Sequence, residues 1–441
     1  MQNVQFTVSP TRRLHGRVRV PGDKSISHRS IMLGALAEGT TEISGFLEGE
    51  DALATLRAFQ AMGVEISEPD QGRVTVKGVG LRGLTQPKED LDMGNSGTAM
   101  RLMAGILAGQ NFESRLVGDA SLNKRPMKRV TDPLKAMGAR VETDEGGTPP
   151  LRISPSKQLS GIDYTLPMAS AQVKSCLLLA GLFAEGRTSV IEPAPTRDHT
   201  ERMLKGFGYP LTVTKLDAFR TQVSLEGGSR LSACAIDVPS DISSAAFFMV
   251  AAAISDDSDL VIEHVGLNPT RTGVIDILKL MGADITLENE AEVGGEPVAD
   301  VRVRNSNLKG IQVPEHLVPL AIDEFPVLFV AASAAEGQTV LTGAEELRVK
   351  ECDRIQVMAD ALQAVGIDAR PTPDGMVIQG GQQSAQSAPI HSHHDHRISM
   401  AMAVAAIRAP QALVIDDCAN VNTSFPTFVP LMNQVGLKID L

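Results

Sequence analysis

Tryptophan is absent from the 441 residues, tyrosine occurs twice, and aromatic residues make up only 3% of the chain. A platform on which nucleic-acid bases stack needs such rings, so that function class is excluded. Surplus positive charge is missing as well: 41 Lys and Arg stand against 53 Asp and Glu, a formal charge of −12. Bulk affinity for nucleic acid or an anionic membrane requires the opposite sign. Long hydrophobic runs are lacking too. The most apolar stretches, residues 245–254 and 176–184, fall short of the ~18 residues that cross a bilayer, and the opening MQNVQFTVSPTRRLHG has no apolar core for export. The four cysteines at 176, 234, 352 and 418 form neither a CxxC pair nor a metal-ligand spacing, which fits reduced thiols in a cytoplasm. These absences predict a soluble, cytoplasmic protein that binds neither nucleic acid nor membrane.

What is present is ample core material, 43% hydrophobic against 21% charged residues, in a length that suggests two large domains. The strongest pattern is a repeat. LRAFQAMGVEI, DPLKAMGARVE, RMLKGFGYPLTV, DILKLMGADIT, ALQAVGIDAR and LMNQVGLKI each read as a helix, a terminating glycine and an extended segment. The glycines are Gly63, Gly138, Gly208, Gly282, Gly366 and Gly436, at spacings of 70–84 residues. In the fourth copy Val274, Ile277, Leu278 and Met281 share one helix face. A second helix precedes each of these: SHRSIMLGALAEG, GTAMRLMAGILAG, SAQVKSCLLLAGLFAEG, ISSAAFFMVAAAI, EFPVLFVAASAAEG and HRISMAMAVAAIRA. These are apolar nearly all round and are predicted to be buried on every side. Strand-like runs such as TTEISGF, TSVIEPA and QTVLTGA follow them.

A solenoid scaffold would explain a repeat alone. Here, however, every buried helix opens on polar residues: Lys24-Ser25, Asn95-Ser96-Gly97-Thr98, Ser170-Ala171-Gln172, Ser240-Asp241-Ile242-Ser243, Asp323-Glu324 and Asp395-His396-Arg397. Helix N-termini present free N–H groups and a positive dipole end, which disfavours cations there by roughly 0.3–1 kcal/mol each. Yet cations recur at these starts, as Lys24 and Arg29, as Lys124, Arg125, Lys128 and Arg129, as Lys350 and Arg354, and as Arg397. Pairing with protein carboxylates, Asp23 for Lys24, is one explanation. A small polyanionic ligand carrying phosphate and carboxylate groups is the other. Likewise, Asp323 reads either as an N-cap or as an acid/base group, and Glu351 either as a first-turn carboxylate or as a proton carrier.

Taken together, PGDKSISHRS, GNSGTAMRL, GDASLNKRPM, RVKECDRI and DHR resemble the 5-enolpyruvylshikimate-3-phosphate (EPSP) synthases, the 3-phosphoshikimate 1-carboxyvinyltransferases. The match runs in family order from Lys24 to Arg397. The resemblance implies an α/β, two-lobed enolpyruvyl transferase fold, an inside-out α/β barrel of six βαβαββ repeats, three per lobe. Residues 21–239 would form one lobe and residues 1–20 with 240–441 the other, with crossovers near Pro21 and Pro239 and the active site in the cleft between lobes, which would close on ligand binding.

The implied reaction moves the enolpyruvyl group of phosphoenolpyruvate to the 5-hydroxyl of shikimate 3-phosphate, with no cofactor, no metal and no enzyme nucleophile. Asp323, Glu351 and Lys24 match the catalytic positions, Asp323 taking the hydroxyl proton and Glu351 serving the methylene carbon. Lys24, Ser25, Arg29, Ser170, Gln172, Arg197, Asp323 and Lys350 match shikimate 3-phosphate contacts. Lys24, Asn95, Gly97, Thr98, Arg125, Gln172, Arg354, His396 and Arg397 match the phosphoenolpyruvate side. Three features depart from the commoner pattern and resemble the divergent bacterial class. Ala171 replaces a second serine, Asn422-Thr423-Ser424-Phe425-Pro426 lacks a lysine found in some members, and Glu346 precedes LRVKE. Arg197 is the residue that could compensate for the missing cation. The sister enzyme acting on UDP-N-acetylglucosamine usually has a reactive loop cysteine, which GDASLNKRPMKR lacks. His391, His393, His394 and His396 could suggest a metal, but a further ligand set is not evident. The resemblance also points to a monomer.

Overall fold

The computed structural model describes every residue except 1–3, 218, 382 and 387. It divides into two compact units, one of residues 22–238 with 293–295, the other of residues 1–21, 239–292 and 296–441. Each unit has its own apolar core.

In the unit of residues 22–238 the helices are α1 (Lys24–Leu36), α2 (Glu50–Ala61), α3 (Gly97–Ala108), α4 (Lys128–Ala136), α5 (Ala171–Gly181) and α6 (His199–Gly206). The odd-numbered helices are the all-round apolar set, buried along nearly their whole length. Alanine, glycine and serine on these helices allow close packing. At Gly105 of α3 an added Cβ would stand 2.2 Å from the Cys176 carbonyl oxygen of α5, so only glycine fits that contact. The even-numbered helices bury one face.

Three four-stranded sheets complete the unit, each with one helix pair. In the second repeat, Leu91–Asp92 lies parallel to Ser114–Val117, which pairs antiparallel with Leu151–Ser154, itself beside Arg140–Glu142. With α3 and α4 this is a βαβαββ unit. The first repeat is closed by the unit's last strand, Ala235–Asp237, which runs parallel to Glu38–Ser44 with Ala235 opposite Glu42.

The other unit carries α7 (Ile242–Ile254), α8 (Gly273–Leu280), α9 (Phe325–Ala334), α10 (Arg354–Ala364), α11 (His396–Ala405) and α12 (Phe428–Val435). All thirteen residues of α7 are buried, and Val274, Ile277, Leu278 and Met281 each keep 1% or less of their surface exposed. Burying one such side chain contributes about 1.5–3 kcal/mol. The N-terminal strands belong here. Phe6–Ser9 pairs with Leu413–Asp416 and Lys438–Asp440, while Arg13–Val18 runs parallel to Asp257–Gly266. The α9–α10 repeat departs from the pattern, because its sheet has three strands and its first strand is reduced to parallel bridges at Lys309–Glu336 and Gln312–Val340. Pro314, which has no N–H to donate, ends that segment.

Gly63, Gly138, Gly208, Gly282, Gly366 and Gly436 all adopt positive φ, between 77° and 118°. Each follows or ends an even-numbered helix, in the conformation where only glycine escapes a Cβ penalty.

Candidate active site

Five of the six buried helices start on a side-chain cap. Asp23 accepts from the Ile26 N–H, Ser96 from Ala99, Ser170 from Val173, Asp241 from Ser243 and Asp395 from Arg397, at 2.8–3.4 Å. The exception is α9, whose cap position is Glu324 with no capping bond and with Pro326 in the first turn. Asp323 therefore is not the N-cap, since the helix begins one residue later than that alternative requires, and its carboxylate turns to cations instead. Glu351 is likewise not a first-turn carboxylate: α10 starts at Arg354 with Asp353 as its cap.

In the unit of residues 22–238, Lys24 is the first residue of α1, and its amine contacts the carboxylate of Asp51, whose side chain is 8% exposed. Arg29 is buried. Its Nε donates to Thr200 Oγ1 at 2.7 Å, while its other nitrogens donate to the Ser25 carbonyl and to Ser175 Oγ, each at 2.9 Å. Arg125 donates to Asn95 Oδ1 at 2.7 Å, and the Asn95 amide donates in turn to Asp119 at 2.8 Å. Gln172 donates to Thr98 Oγ1 at 2.9 Å. Gly97 opens α3 beneath two guanidinium groups: a Cβ there would stand 3.0 Å from an Arg101 nitrogen and 3.4 Å from one of Arg125. Asn95, Gly97, Thr98, Arg125 and Gln172 thus form one cluster, and Ser25 and Arg29 another. Ser170 caps α5, and Arg197 lies half-buried on the loop before α6.

Two further residues here carry no mark in the sequence pattern of helix starts. Arg101 donates to Gln172 Oε1 at 2.6 Å and to the Pro126 carbonyl at 3.4 Å, holding the glutamine amide in one orientation. A cation one turn into an otherwise apolar helix was the available signal. His28 is fully buried, with Nδ1 2.8 Å from Thr55 Oγ1 and Nε2 3.4 Å from Ser96 Oγ. It therefore ties α1 and α2 to the cap of α3. Burial, reinforced by the charges of Lys24 and Arg29 against that of Asp23, pushes its pKa down to about 3. His28 is a neutral imidazole at physiological pH.

In the other unit a dense charge cluster surrounds Arg354, which is 1% exposed. Its Nε donates to Asp395 and one terminal nitrogen to Glu351, both at 2.7 Å, while the other stands 3.3 Å from Asp323 Oδ1. Burial opposes its charge, but Asp395, Glu351 and Asp323 outweigh it and raise its pKa above the ordinary arginine value. Lys350 reaches the same Asp323 oxygen at 3.4 Å and Glu346 at 2.7 Å. Arg397 donates to the Asp323 carbonyl oxygen at 2.9 Å. Asp323, Lys350, Glu351, Arg354 and Arg397 are thereby brought together. His396, the buried first residue of α11, precedes Arg397. Behind Asp323, Glu324 is 2% exposed and accepts from Ser243, with Arg271 3.8 Å away.

The histidine-rich segment divides. His391 and His394 are largely exposed, at 3.6 Å from Asp416 and 2.9 Å from Asp417, and His393 and His394 have left-handed backbones. Among the described residues no group of three or more His, Cys, Asp or Glu is placed to hold a metal ion. All four cysteines are free. Burial pushes the Cys176 and Cys418 thiols up to about 12, and burial followed by the Asp395 charge raises that of Cys352. In the segment of residues 422–426 the Thr423 hydroxyl donates to the Asn420 carbonyl at 2.7 Å.

Chemically, this arrangement offers guanidinium forks suited to carboxylate and phosphate, and two carboxylates held among cations. Residues 8–432 match the EPSP synthase family, the 3-phosphoshikimate 1-carboxyvinyltransferases. The 3-phosphoshikimate 1-carboxyvinyltransferase of Hydrogenovibrio crunogenus is 75% identical over 437 residues, covering 99% of this chain and 98% of its own length. That of Methylococcus capsulatus is 64% identical over 440 residues, covering 100% and 99%. A solved EPSP synthase from Acinetobacter baumannii is 58% identical with a TM-score of 0.88, covering 99% of this chain and all of its own.

Proposed function

The chain belongs to the EPSP synthase family, and from that premise we propose which of its residues carry the reaction. The protein transfers the enolpyruvyl group of phosphoenolpyruvate to the 5-hydroxyl of shikimate 3-phosphate and releases phosphate, a step of aromatic biosynthesis. The observation that carries this assignment is the 75% identity over nearly full length.

In the proposed chemistry, the methylene carbon of phosphoenolpyruvate gains a proton while the 5-hydroxyl oxygen attacks the adjacent carbon and gives up its own proton. The tetrahedral adduct then loses phosphate, and the new methyl group returns a proton to restore the double bond. Asp323 takes the hydroxyl proton. Its Oδ1 is held in place by Lys350 at 3.4 Å and Arg354 at 3.3 Å. Glu351 delivers and later removes the methylene proton, its carboxyl oriented by the 2.7 Å bond from Arg354. Lys24 stabilises the departing phosphate. Arg125, Arg354 and Arg397 bind phosphoenolpyruvate, with Asn95, Gly97, Thr98 and His396 on the same side. Ser25, Arg29, Ser170, Arg197 and Lys350 serve shikimate 3-phosphate, and Gln172 serves both substrates. Preorganised charge of this kind stabilises a transition state without reorganising when the reaction occurs.

No helix of the described residues is long and apolar enough to cross a membrane, and we place the protein in the cytoplasm as a monomer. The sister reaction on UDP-N-acetylglucosamine is disfavoured because the segment GDASLNKRPMKR holds no cysteine and the Cys352 thiol is raised by burial and by the Asp395 charge. A phosphate-release assay with each acceptor separates the two. Turnover requiring shikimate 3-phosphate is expected, and turnover only with the nucleotide sugar would reverse the assignment.

A further inference from the structure

Lys174 is a cation with no place in the proposed chemistry, and its side chain is 0% exposed. It lies on α5 two residues beyond Gln172. Its Nζ is 2.9 Å from Glu192 Oε2 and 2.7 Å from Glu201 Oε1. Burial works against its charge, but Glu201 and Glu192 more than compensate and raise its pKa. The two carboxylates bracket a ten-residue stretch, EPAPTRDHTE, that runs from the end of the strand Arg187–Glu192 into the first turn of α6 and carries Arg197. Within it Thr196, adjacent to Arg197, donates to the same Glu192 Oε2 at 2.6 Å. Thr200 donates to Ser175 at 2.7 Å and accepts from Arg29. The segment is therefore pinned at residues 192, 196, 200 and 201, with Pro193 and Pro195 stiffening the part between.

A fully buried lysine held by two buried carboxylates is an expensive way to stabilise a fold, since an apolar replacement of all three is often neutral or better. What the arrangement does provide is a fixed geometry for the loop. We propose that Lys174 is a positioning residue for shikimate 3-phosphate binding. Through Glu192, Thr196 and Glu201 it holds the 193–198 loop in the conformation that presents the Arg197 guanidinium to the substrate phosphate. This rests on the reading of Arg197 as a shikimate 3-phosphate contact.

A double-mutant cycle tests it, with KM for each substrate and kcat measured for Lys174→Met, Arg197→Ala and the pair. Lys174→Met should raise the KM for shikimate 3-phosphate about tenfold, with kcat and the KM for phosphoenolpyruvate within about threefold of wild type. In the Arg197→Ala background the same change should have little further effect, because the group it positions is gone. Full additivity, or an unchanged KM in Lys174→Met, overturns the proposal while leaving the Arg197 reading intact. An unchanged KM in Arg197→Ala refutes that reading itself, and the positioning route with it. Should Lys174→Met fail to fold, Thr196→Val cuts the same link at a half-buried hydroxyl, and Thr196→Ser should restore affinity. If Thr196→Val binds shikimate 3-phosphate as wild type does, the clamp is refuted.

Discussion

His28 makes a sharp prediction about pH. Its folded-state pKa is held to about 3, against an ordinary value of 6.5. A depressed pKa means that the unfolded chain takes up a proton the folded chain refuses. The stabilisation from keeping the ring neutral is therefore complete above pH 6.5 and is lost progressively as pH falls towards 3. At about 1.4 kcal/mol per pH unit, the wild type should lose about 2 kcal/mol between pH 7 and pH 5 through this residue alone. In His28→Gln the titrating group is gone. The variant also loses or weakens bonds to Thr55 and Ser96, an offset of about 1 kcal/mol each that does not vary with pH. The two proteins should differ in the slope of stability against pH, not merely in its level. With no tryptophan and two tyrosines, urea unfolding is best followed by far-UV circular dichroism, and hydrogen exchange of α1 peptides identifies the transition that includes His28. Parallel stability curves for wild type and variant from pH 7 to pH 5 would refute the reasoning.

Asp323→Asn keeps the shape of the side chain but removes the base, so kcat should fall by about 10²–10⁴ with each KM changed only a few-fold; steady-state phosphate release checks this, and wild-type turnover would remove Asp323 from the mechanism. Gly97→Ala should fold well, because the nearest atoms to the new methyl group are the flexible ends of Arg101 and Arg125. The displaced guanidinium groups should raise the KM for phosphoenolpyruvate about tenfold while that for shikimate 3-phosphate stays within about threefold. Iodoacetamide at pH 7.5 should leave activity intact, given thiols raised to about 12 at Cys176 and Cys418 and raised at Cys352; rapid inactivation protected by substrate would contradict that.

Much of the fold could be read from local pattern. The six glycines that end the amphipathic helices all sit in left-handed backbone, and the all-round apolar helices are the buried ones. Both signals are periodic and short-range, and they survive whatever surrounds them. The reduced first strand of the α9–α10 repeat was not readable, because it depends on what residues 309–312 can pair with rather than on their own preferences. Among polar residues the same division holds. Cations at helix starts are visible because they violate the macrodipole expectation, whereas Arg101, His28 and Lys174 lie inside helices that read as apolar and carry no such mark.

The sequence by itself determined the repeat, the buried and half-buried helices, and the motifs that place the chain among EPSP synthases. Only the tertiary structure decided which partner each charge has. Lys24 meets Asp51, Arg354 meets Asp395, Glu351 and Asp323, and Lys174 meets Glu192 and Glu201. Helical and strand periodicities are written within a dozen residues, but most of these ion pairs join side chains about 20 to 40 positions apart, the Glu351–Arg354 pair excepted. The strength of such a pair depends on how far both partners are withdrawn from water, a quantity that exists only once the chain has folded.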